Sequence, residues 1–509
     1  MTARDRSLTA LCLAALLLSV SPFAGAQALP ILIEGDLSDW GSLAPIHTDP
    51  SGDDGGSAVD FGRLWAANDD DHLFLRFEVG GEIELQESND IALHIDADNS
   101  ALTGLFVDGI GAEIRWRFGA RAGSSYRANG TVASSLSWID IEQIQGPTTT
   151  STEFELSIIR DGIPGDSPFS LGSTVAILLR NEPSGVLDRL PDVGTVVTHT
   201  FDATPVPPPT PIPLARQSPD HVRVMTHNTL SDGLFNHTAE FTRILQAIEP
   251  DVICFQEIYS HTATEVRDEV TSILPPGPWY AVDNADCHIV SRWPILTTRN
   301  LDGNIGALID IAGTLSDADL YVVSAHTPCC SSETGRQAEI DNIMAWVRDL
   351  QTPGGVETLA DDTPIVITGD MNLVGYAQQL TTLLTGDIVD EGTFGPDHPP
   401  DWDGTALGDP VPRHTHTRSA YTWRSDGSSY APGRLDFIVF TDSAVTLGNH
   451  FTLWTPDMAP ADLSAAGLQA NDTSTAADHL PVVADFLLPV ATPAELTIFT
   501  AEDSLRRTP

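Results

Sequence analysis

Seven prolines fall within residues 203–219, ATPVPPPTPIPLARQSP. A ring nitrogen donates no hydrogen bond and fixes φ, so neither a helix nor a sheet interior runs through such a stretch. It reads as an extended, polyproline-like spacer. The chain of 509 residues exceeds what one core organises. The proline segment is therefore a boundary, with few contacts expected across it and a second half that folds alone as residues 218–490.

The two sides of the boundary have different hydrophobic periods. Across residues 29–202 short apolar runs (LFLRFEV, DIALHID, AEIRWRF, EFELSII, TVAILLR) alternate with Gly, Asp and Asn turns, which predicts an all-β antiparallel sandwich. Across 220–490 strands alternate with helices. HVRVMTHN reads as a strand, Thr238 as the cap of a helix presenting Phe241, Ile244, Leu245 and Ile248 on one face, and PDVICFQE as the next strand. A second helix after Thr334 carries Ile340, Ile343, Met344 and Val347 at helical spacing. The strands DLYVVSAH, PIVITGD, RLDFIVF and PVVADFLL complete an α/β pattern.

The ends carry their own signals. Arg4 and Arg6 precede an apolar run at 11–20, and Ala24-Gly25-Ala26 has the small-x-small form of a signal peptidase site. Residues 1–26 thus read as a signal peptide and the mature protein as secreted or periplasmic. No later apolar run approaches the roughly 18 residues of a membrane span. Residues 491–509 read as a C-terminal tail. Of five cysteines, Cys254, Cys287, Cys329 and Cys330 follow the signal segment, and export predicts at least one disulfide among them.

Acidic residues number 71 against 25 basic ones, all arginine, for a net charge of -46. Such a surface repels nucleic acids and anionic membranes at long range. A polyanionic substrate needs a local site, metal ions or high salt. The least acidic part of the second half is 413–434, RHTHTRSAYTWRSDGSSYAPGR. Its four arginines, with Tyr421, Trp423 and Tyr430, suit contact and stacking with a nucleic-acid strand or a phosphorylated headgroup; for the aromatics a packed strand and loop leading into RLDFIVF is the favoured reading, and for the arginines function is.

Chemistry concentrates at strand ends. In PIVITGDMN (364–372) the β-branched run forms a buried strand, and Gly369 ends it so that Asp370 and Asn372 emerge together. The other ends carry Asn228, Gln256-Glu257, Ser291-Arg292, His326, Asp436 and Asp478-His479. Hydrolysis of a phosphodiester needs an activated water, neutralised nonbridging oxygens and help for the leaving alkoxide. Amides, carboxylates and histidines supply these, whereas His227 alternates to the opposite face from Asn228 and reads as structural.

This ordered set resembles the endonuclease/exonuclease/phosphatase superfamily, the metal-dependent fold of DNase I, exonuclease III-type repair nucleases, bacterial sphingomyelinases and inositol polyphosphate phosphatases, over roughly residues 220–488. The resemblance implies a four-layer αββα sandwich and a Mg²⁺-dependent phosphoric ester hydrolase, with Mn²⁺ or Ca²⁺ as substitutes. It implies Glu257 as main metal ligand, Asn228 as a metal or phosphate contact and Asp478 as a further acid at the metal. Asp436 would orient His479, the general base or transition-state stabiliser. Asp370 and Asn372 would position nucleophile and phosphate, and His326 would stabilise phosphoryl charge or assist the leaving group. Nucleic acid is the first substrate expected. A phospholipase C or sphingomyelinase-type phosphodiesterase, or an idle sugar-binding adhesion protein, are the alternatives. In the first half, IEGDLSDW, AANDDDHLFLRFEV and HIDADN resemble exported β-sandwich modules related to family 9 carbohydrate-binding and DOMON-type domains. That implies an accessory binding a glycan or other ligand, with a structural calcium near Asp96, Asp98 and Asn99; a plain Asp/Asn turn explains the same residues.

Overall fold

The structure is a computed structural model and describes residues 27–162 and 169–489. The signal peptide read at 1–26 and the tail at 491–509 lie outside them. Among the described residues no helix is long and apolar enough to cross a membrane.

The first half is a sandwich of two antiparallel sheets. One holds His47–Thr48, Arg63–Asn68, His72–Ile83, Ser151–Ile159 and Ile144–Gly146 in that order. The other runs from Asp188–Leu190 through Thr174–Asn181, Ile91–Asp96, Ile114–Arg117 and Ala122–Tyr126 to Val132–Leu136. Strand alternation makes the core. Leu73, Leu75, Phe77 and Val79 point between the sheets at every second residue, against Leu93, Trp116 and Phe154. Phe74, on the other face, packs with Trp40 and Trp65. In the Asp96 turn the carboxylate accepts from Ser100 N (2.9 Å) and Gly111 N (3.0 Å), and Asp98 accepts from the Thr103 hydroxyl. Asn99 is left-handed, at φ 54°. These bonds brace the loop from Asp96 to Gly111, and Asp96, Asp98 and Glu113 also stand close enough to share a cation.

The second half has two facing sheets between helices. We label its strands β1 (Val222–Asn228), β2 (Val252–Gln256), β3 (Tyr280–Asn284), β4 (Cys287–Ser291), β5 (Ile295–Leu301), β6 (Asn304–Ile309), β7 (Leu320–His326), β8 (Ile365–Asp370), β9 (Asp436–Phe440), β10 (Thr446–Thr452) and β11 (Val482–Leu487). The main helices are α1 (Thr238–Ile248), α2 (Ala263–Ile273), α3 (Glu333–Gln351) and α4 (Ala377–Thr385). One sheet runs β3-β4-β2-β1-β11-β10 and the other β5-β6-β7-β8-β9. The pairs β1/β2 and β7/β8 are parallel, each joined through a helix. Burial follows the periods read from the sequence. Val222 and Val224 of β1 face the second sheet, and Met225 faces α1 and α2. Val366 of β8 faces the first sheet, while Ile365 and Ile367 meet Ile340, Ile343 and Met344 of α3. The order helix, sheet, sheet, helix is the αββα sandwich of the DNase I-like fold. One detail differs: the N-cap of α1 is His237, and Thr238 is the first helical residue without a side-chain cap.

Three expectations are corrected. The halves are not loosely joined. The segment 203–219 lies on the second half: Ile212 N donates to Thr415 O, Asn449 Nδ2 to Pro213 O (3.0 Å), and Arg223 Nη1 to Leu214 O (2.6 Å). Proline carbonyls keep both lone pairs and accept what the ring nitrogens cannot give. The sandwich itself docks on loops of the second half. Trp138 Nε1 donates to Ser428 O (3.0 Å), Ala431 N to Gln86 Oε1 (2.8 Å), and the Thr148 hydroxyl to Leu373 O (2.8 Å). Second, the arginines of 413–434 are engaged. Arg413 reaches Thr210 O and Arg418 reaches Pro207 O; Arg434 pairs with Asp409; Arg424 pairs with Asp426 and lies over Trp138 and Trp454. Tyr421 is buried with Trp454 and Leu480, and Tyr430 bonds Glu87. That stretch is an internal interface. Third, the four cysteines are thiols. Cys254 and Cys287 sit in the core between the sheets, where burial drives the Cys254 thiol up to about 12. Cys329 and Cys330 are exposed in the turn before α3.

Candidate active site

The parallel strands bring Asn228, Gln256-Glu257, His326 and Asp370 to one edge of the sandwich by their C-terminal ends. Antiparallel strands must reach that edge by their N-terminal ends. Asp436 opens β9 opposite Asp370, and His479 precedes β11. This rule displaces Ser291-Arg292, which end β4 opposite Val252, at the far edge. There Arg292 pairs with Asp251 (3.5 Å) and lies over Trp279. The start of β4 faces the site instead, and with it comes Asp286, a residue the strand-end reading missed.

Backbone geometry shows where the edge is constrained. Gly369 has φ 142°, and a Cβ there would lie 1.9 Å from Ala325 O, so only glycine lets β7 and β8 meet beside His326 and Asp370. Glu257 (φ 59°) and Asn372 (φ 46°) are both left-handed. A glutamate rarely adopts that conformation, and here it turns the carboxylate back over β1 and β2.

Four nitrogens surround one oxygen. Asp370 Oδ2 lies 3.0 Å from Asn228 Nδ2, 3.1 Å from Asn372 Nδ2, 3.5 Å from His479 Nε2 and 3.6 Å from His326 Nε2. Each histidine is backed by a second carboxylate: His479 Nδ1 lies 2.8 Å from Asp436 Oδ2, and His326 Nδ1 lies 2.6 Å from Asp286 Oδ2. The carboxylates fix both rings with Nε2 toward Asp370. Asp436 is held by Thr422, whose hydroxyl accepts from Leu435 N and Asp436 N. Asn372 is held by its own Nδ2 donating to Thr327 O (2.9 Å). His227 is structural as expected. Its Nε2 meets His479 O (3.2 Å) and its ring packs on Phe241, while burial drives its pKa down to about 3.

Electrostatics favour charged histidines. Burial alone would depress His326, but the Asp286 bond and the charges of Asp370, Asp286 and Glu257 outweigh it and lift the imidazole to about 9. His479 is likewise raised: burial pulls it down, and Asp436 and Asp370 pull it up harder. Asp436 is pushed up by complete burial and held back by the His479 charge.

The residues read as metal ligands are placed as follows. Glu257 Oε1 accepts from Asn228 Nδ2 (3.1 Å) and Oε2 from Ser231 N (3.0 Å). No arginine pairs with it among the described residues. Asp478 stands on the His479 side, its Oδ2 accepting from Trp423 Nε1 (3.2 Å), and is not hydrogen-bonded to Glu257 or Asn228. Its Oδ1 is buried without a partner. Hard oxygen donors, an uncompensated carboxylate and an orphaned carboxylate oxygen are what a divalent cation requires, so these residues fit one.

Helix-flanked sheets with amides, carboxylates and histidines gathered at one edge define a hydrolase of the DNase I-like class. The chain belongs to the Endonuclease/Exonuclease/phosphatase family, whose model matches residues 225–479, half of its length. No curated protein matches it. Among solved structures it is similar to the human Nocturnin catalytic domain with bound sulfate anion, at 14% identity over 52% of this chain and 94% of that one (TM-score 0.31). It is similar to a family protein from Leptotrichia buccalis, at 13% over 52% and 99% (TM-score 0.35), and to an AP endonuclease from Archaeoglobus fulgidus, at 14% over 52% and 98% (TM-score 0.32).

Proposed function

We propose that this protein is an exported, divalent-metal-dependent phosphodiesterase. The observation that carries the reading is the ring around Asp370 Oδ2: two amides and two carboxylate-backed histidines, drawn from both sheets. Asp370 is the residue placed to accept a hydrogen bond from the attacking water. The Nε2 atoms of His326 and His479 are donors for phosphoryl oxygens and the leaving oxygen, while the amides of Asn228 and Asn372, whose N–H groups are taken by Glu257, Thr327 and Asp370, hold Asp370 in place. Glu257, with Asn228 beside it and Asp478 from the other flank, would hold a divalent cation. When bound, that cation neutralises charge on the nonbridging oxygens. Export rests on the sequence of residues 1–26.

The substrate class follows from what the surface has left to offer. Of the arginines of 413–434, Arg413 and Arg418 are spent on the proline segment, Arg424 lies over Trp138 of the sandwich, and Arg434 is paired with Asp409. The chain as a whole is strongly acidic, which disfavours a long duplex held along its backbone. The reading is therefore a nucleotide-sized or single-stranded phosphodiester gripped at one phosphate. The test is purified protein with Mg²⁺, Mn²⁺ or Ca²⁺ against a chromogenic phosphodiester, short DNA and RNA oligonucleotides, duplex DNA, sphingomyelin and inositol phosphates. Cleavage of the small diesters and oligonucleotides ahead of duplex DNA is expected. Failure to cleave any of them with any metal, or a Glu257→Gln variant with unchanged rate and metal requirement, overturns the reading.

A further inference from the structure

A second group of acids lies far in sequence from the catalytic edge. Asp49, Asp53 and Asp188 each offer a carboxylate oxygen, all within 4.8 Å of one another. They come from three places in the sandwich. Asp49 follows the edge strand His47–Thr48 of one sheet, Asp53 sits in the next turn, and Asp188 opens the edge strand Asp188–Leu190 of the other.

Closeness of acids alone means little, so the decisive observation is the state of Asp49. Its side chain is 0% exposed, yet neither carboxylate oxygen has a hydrogen-bond partner. The nearest basic group, His47 Nε2, is 3.8 Å from Oδ1, beyond hydrogen-bond reach. Among the described residues no arginine pairs with any of the three acids, and the chain has no lysine. A buried carboxylate with nothing on either oxygen is among the costliest arrangements a protein interior can hold.

Its neighbours are arranged differently. Asp188 is buried, but its oxygens accept from Phe61 N and Arg189 N, both at 2.7 Å, which aims the carboxylate and leaves further lone pairs free. Asp60 accepts from Gly52 N through both oxygens at 3.0 Å and so shapes the turn bearing Asp53. Asp53 is exposed and gives the cluster its way to solvent. The acids around Asp96 show this character only in part: Glu113 Oε1 is also buried without a partner, but Glu113 Oε2 accepts from Ala97 N, and Asp96 and Asp98 accept from backbone and hydroxyl donors through both oxygens.

We propose that Asp49, Asp53 and Asp188 form a second cation site, for Ca²⁺, that clips the edges of the two sandwich sheets together. The donors are all hard oxygens with no nitrogen or sulfur ligand, and their mixed geometry, one rigid and aimed, one loop-borne and one buried, suits the flexible coordination of Ca²⁺ better than the strict octahedron of Mg²⁺.

The test uses full-length protein stripped with chelator, and reads bound Ca²⁺ by equilibrium dialysis and thermal unfolding with and without Ca²⁺. Glu257→Gln separates this site from the catalytic one. Ca²⁺ is expected to raise the unfolding temperature of wild type and Glu257→Gln alike. In Asp49→Asn that rise disappears and one bound Ca²⁺ is lost, while phosphodiester hydrolysis under Mg²⁺ is retained. Asp53→Asn, a substitution at an exposed turn that cannot compromise the core, is expected to weaken Ca²⁺ binding about tenfold or more. Equal Ca²⁺ binding by wild type and Asp53→Asn, or no rise in unfolding temperature with Ca²⁺ in Glu257→Gln, overturns the proposal whatever becomes of the catalytic reading.

Discussion

Among the described residues, two of the three groups of side chains close enough to share a cation are equally compact and oppositely surrounded: Asp370, Asp436 and His479 at the catalytic edge, and Asp49, Asp53 and Asp188 at the rim of the sandwich. At the edge, Asp370 Oδ2 is ringed by four nitrogens and Asp436 spends one oxygen on His479. At the rim, Asp49 has no donor at all. Proximity of acids therefore does not define their chemistry. What their lone pairs already hold does: an acid wired to histidines and amides positions protons, and a buried acid with empty oxygens asks for a cation.

The sharpest way to break this comparison is at the His479–Asp436 pair. His479→Ala and Asp436→Asn are each expected to lower kcat by about 10²- to 10⁴-fold. The double variant should be scarcely worse than the poorer single one, because the two act as a unit. Steady-state kinetics at saturating Mg²⁺ decides it, and fully multiplicative losses would mean that Asp436 is not working through His479.

A smaller effect is expected at Asp286, which touches His326 and not Asp370. Asp286→Asn should cost about 10- to 100-fold, the usual range for a residue that orients another. It should add little when His326 is already Gln. If Asp286→Asn is harmless while His326→Gln is not, the second Asp–His pair is only packing.

The sandwich should also respond to pH. In the sandwich, burial first and then the neighbouring acids lift Glu34 to about 7. Glu155, buried beneath Trp40, is raised to about 7 chiefly by its burial. A carboxyl whose folded pKa exceeds its unfolded value of 4.5 penalises the fold as pH rises from about 4.5 to 7, and the penalty is complete above that. Thermal unfolding temperature should fall across this window in low salt, and Glu155→Gln should flatten the slope. A slope unchanged in that variant would show that the sandwich acids are compensated in a way the rim acids are not.

The smallest expected effect tests the join. Thr148→Val removes the hydroxyl that donates to Leu373 O, one residue past Asn372. A loss of about 1 kcal/mol in stability is expected, the usual worth of one such bond, with a modest rise in KM. Calorimetry of the full chain should show one transition; a catalytic half that melts separately, at a temperature indifferent to Thr148→Val, would mean the docking is incidental.

Much of the catalytic half was legible because its signals are local. Apolar alternation in PIVITGD and VRVMTHN marks buried strands, and the polar residue ending each parallel strand falls at the site. The same habit of reading C-terminal ends failed for an antiparallel strand. It selected Ser291-Arg292 and passed over Asp286, which no composition signal marks because an acid beside an Asn-Ala hairpin turn is ordinary. The arginines of 413–434 were misread for a related reason, while the packed loop read for its aromatics is what Tyr421 shows. Arginine and aromatic side chains that stack on bases stack equally well on Trp138 and Trp454, and sequence does not say which surface arrives first. The disulfide expectation followed compartment logic, whereas Cys254 and Cys287 sit on separate strands as small apolar fillers between the sheets.

The proline segment has a consequence for how such a protein changes over generations. A spacer that merely separates two modules lets recombination trade one module for another. Here the spacer's carbonyls are claimed by Arg413, Arg418, Asn449 and Arg223, and the sandwich has its own claim on the 421–434 loop that also carries Thr422 and Trp423 to the catalytic edge. A shuffled gene that replaced the first 219 codons would leave those arginines and that loop without the surface they were shaped against. Exchange of the first half is therefore expected to cost the second half stability, and the first half is expected to accept substitutions at its free rim far more readily than along the face it lends to its neighbour.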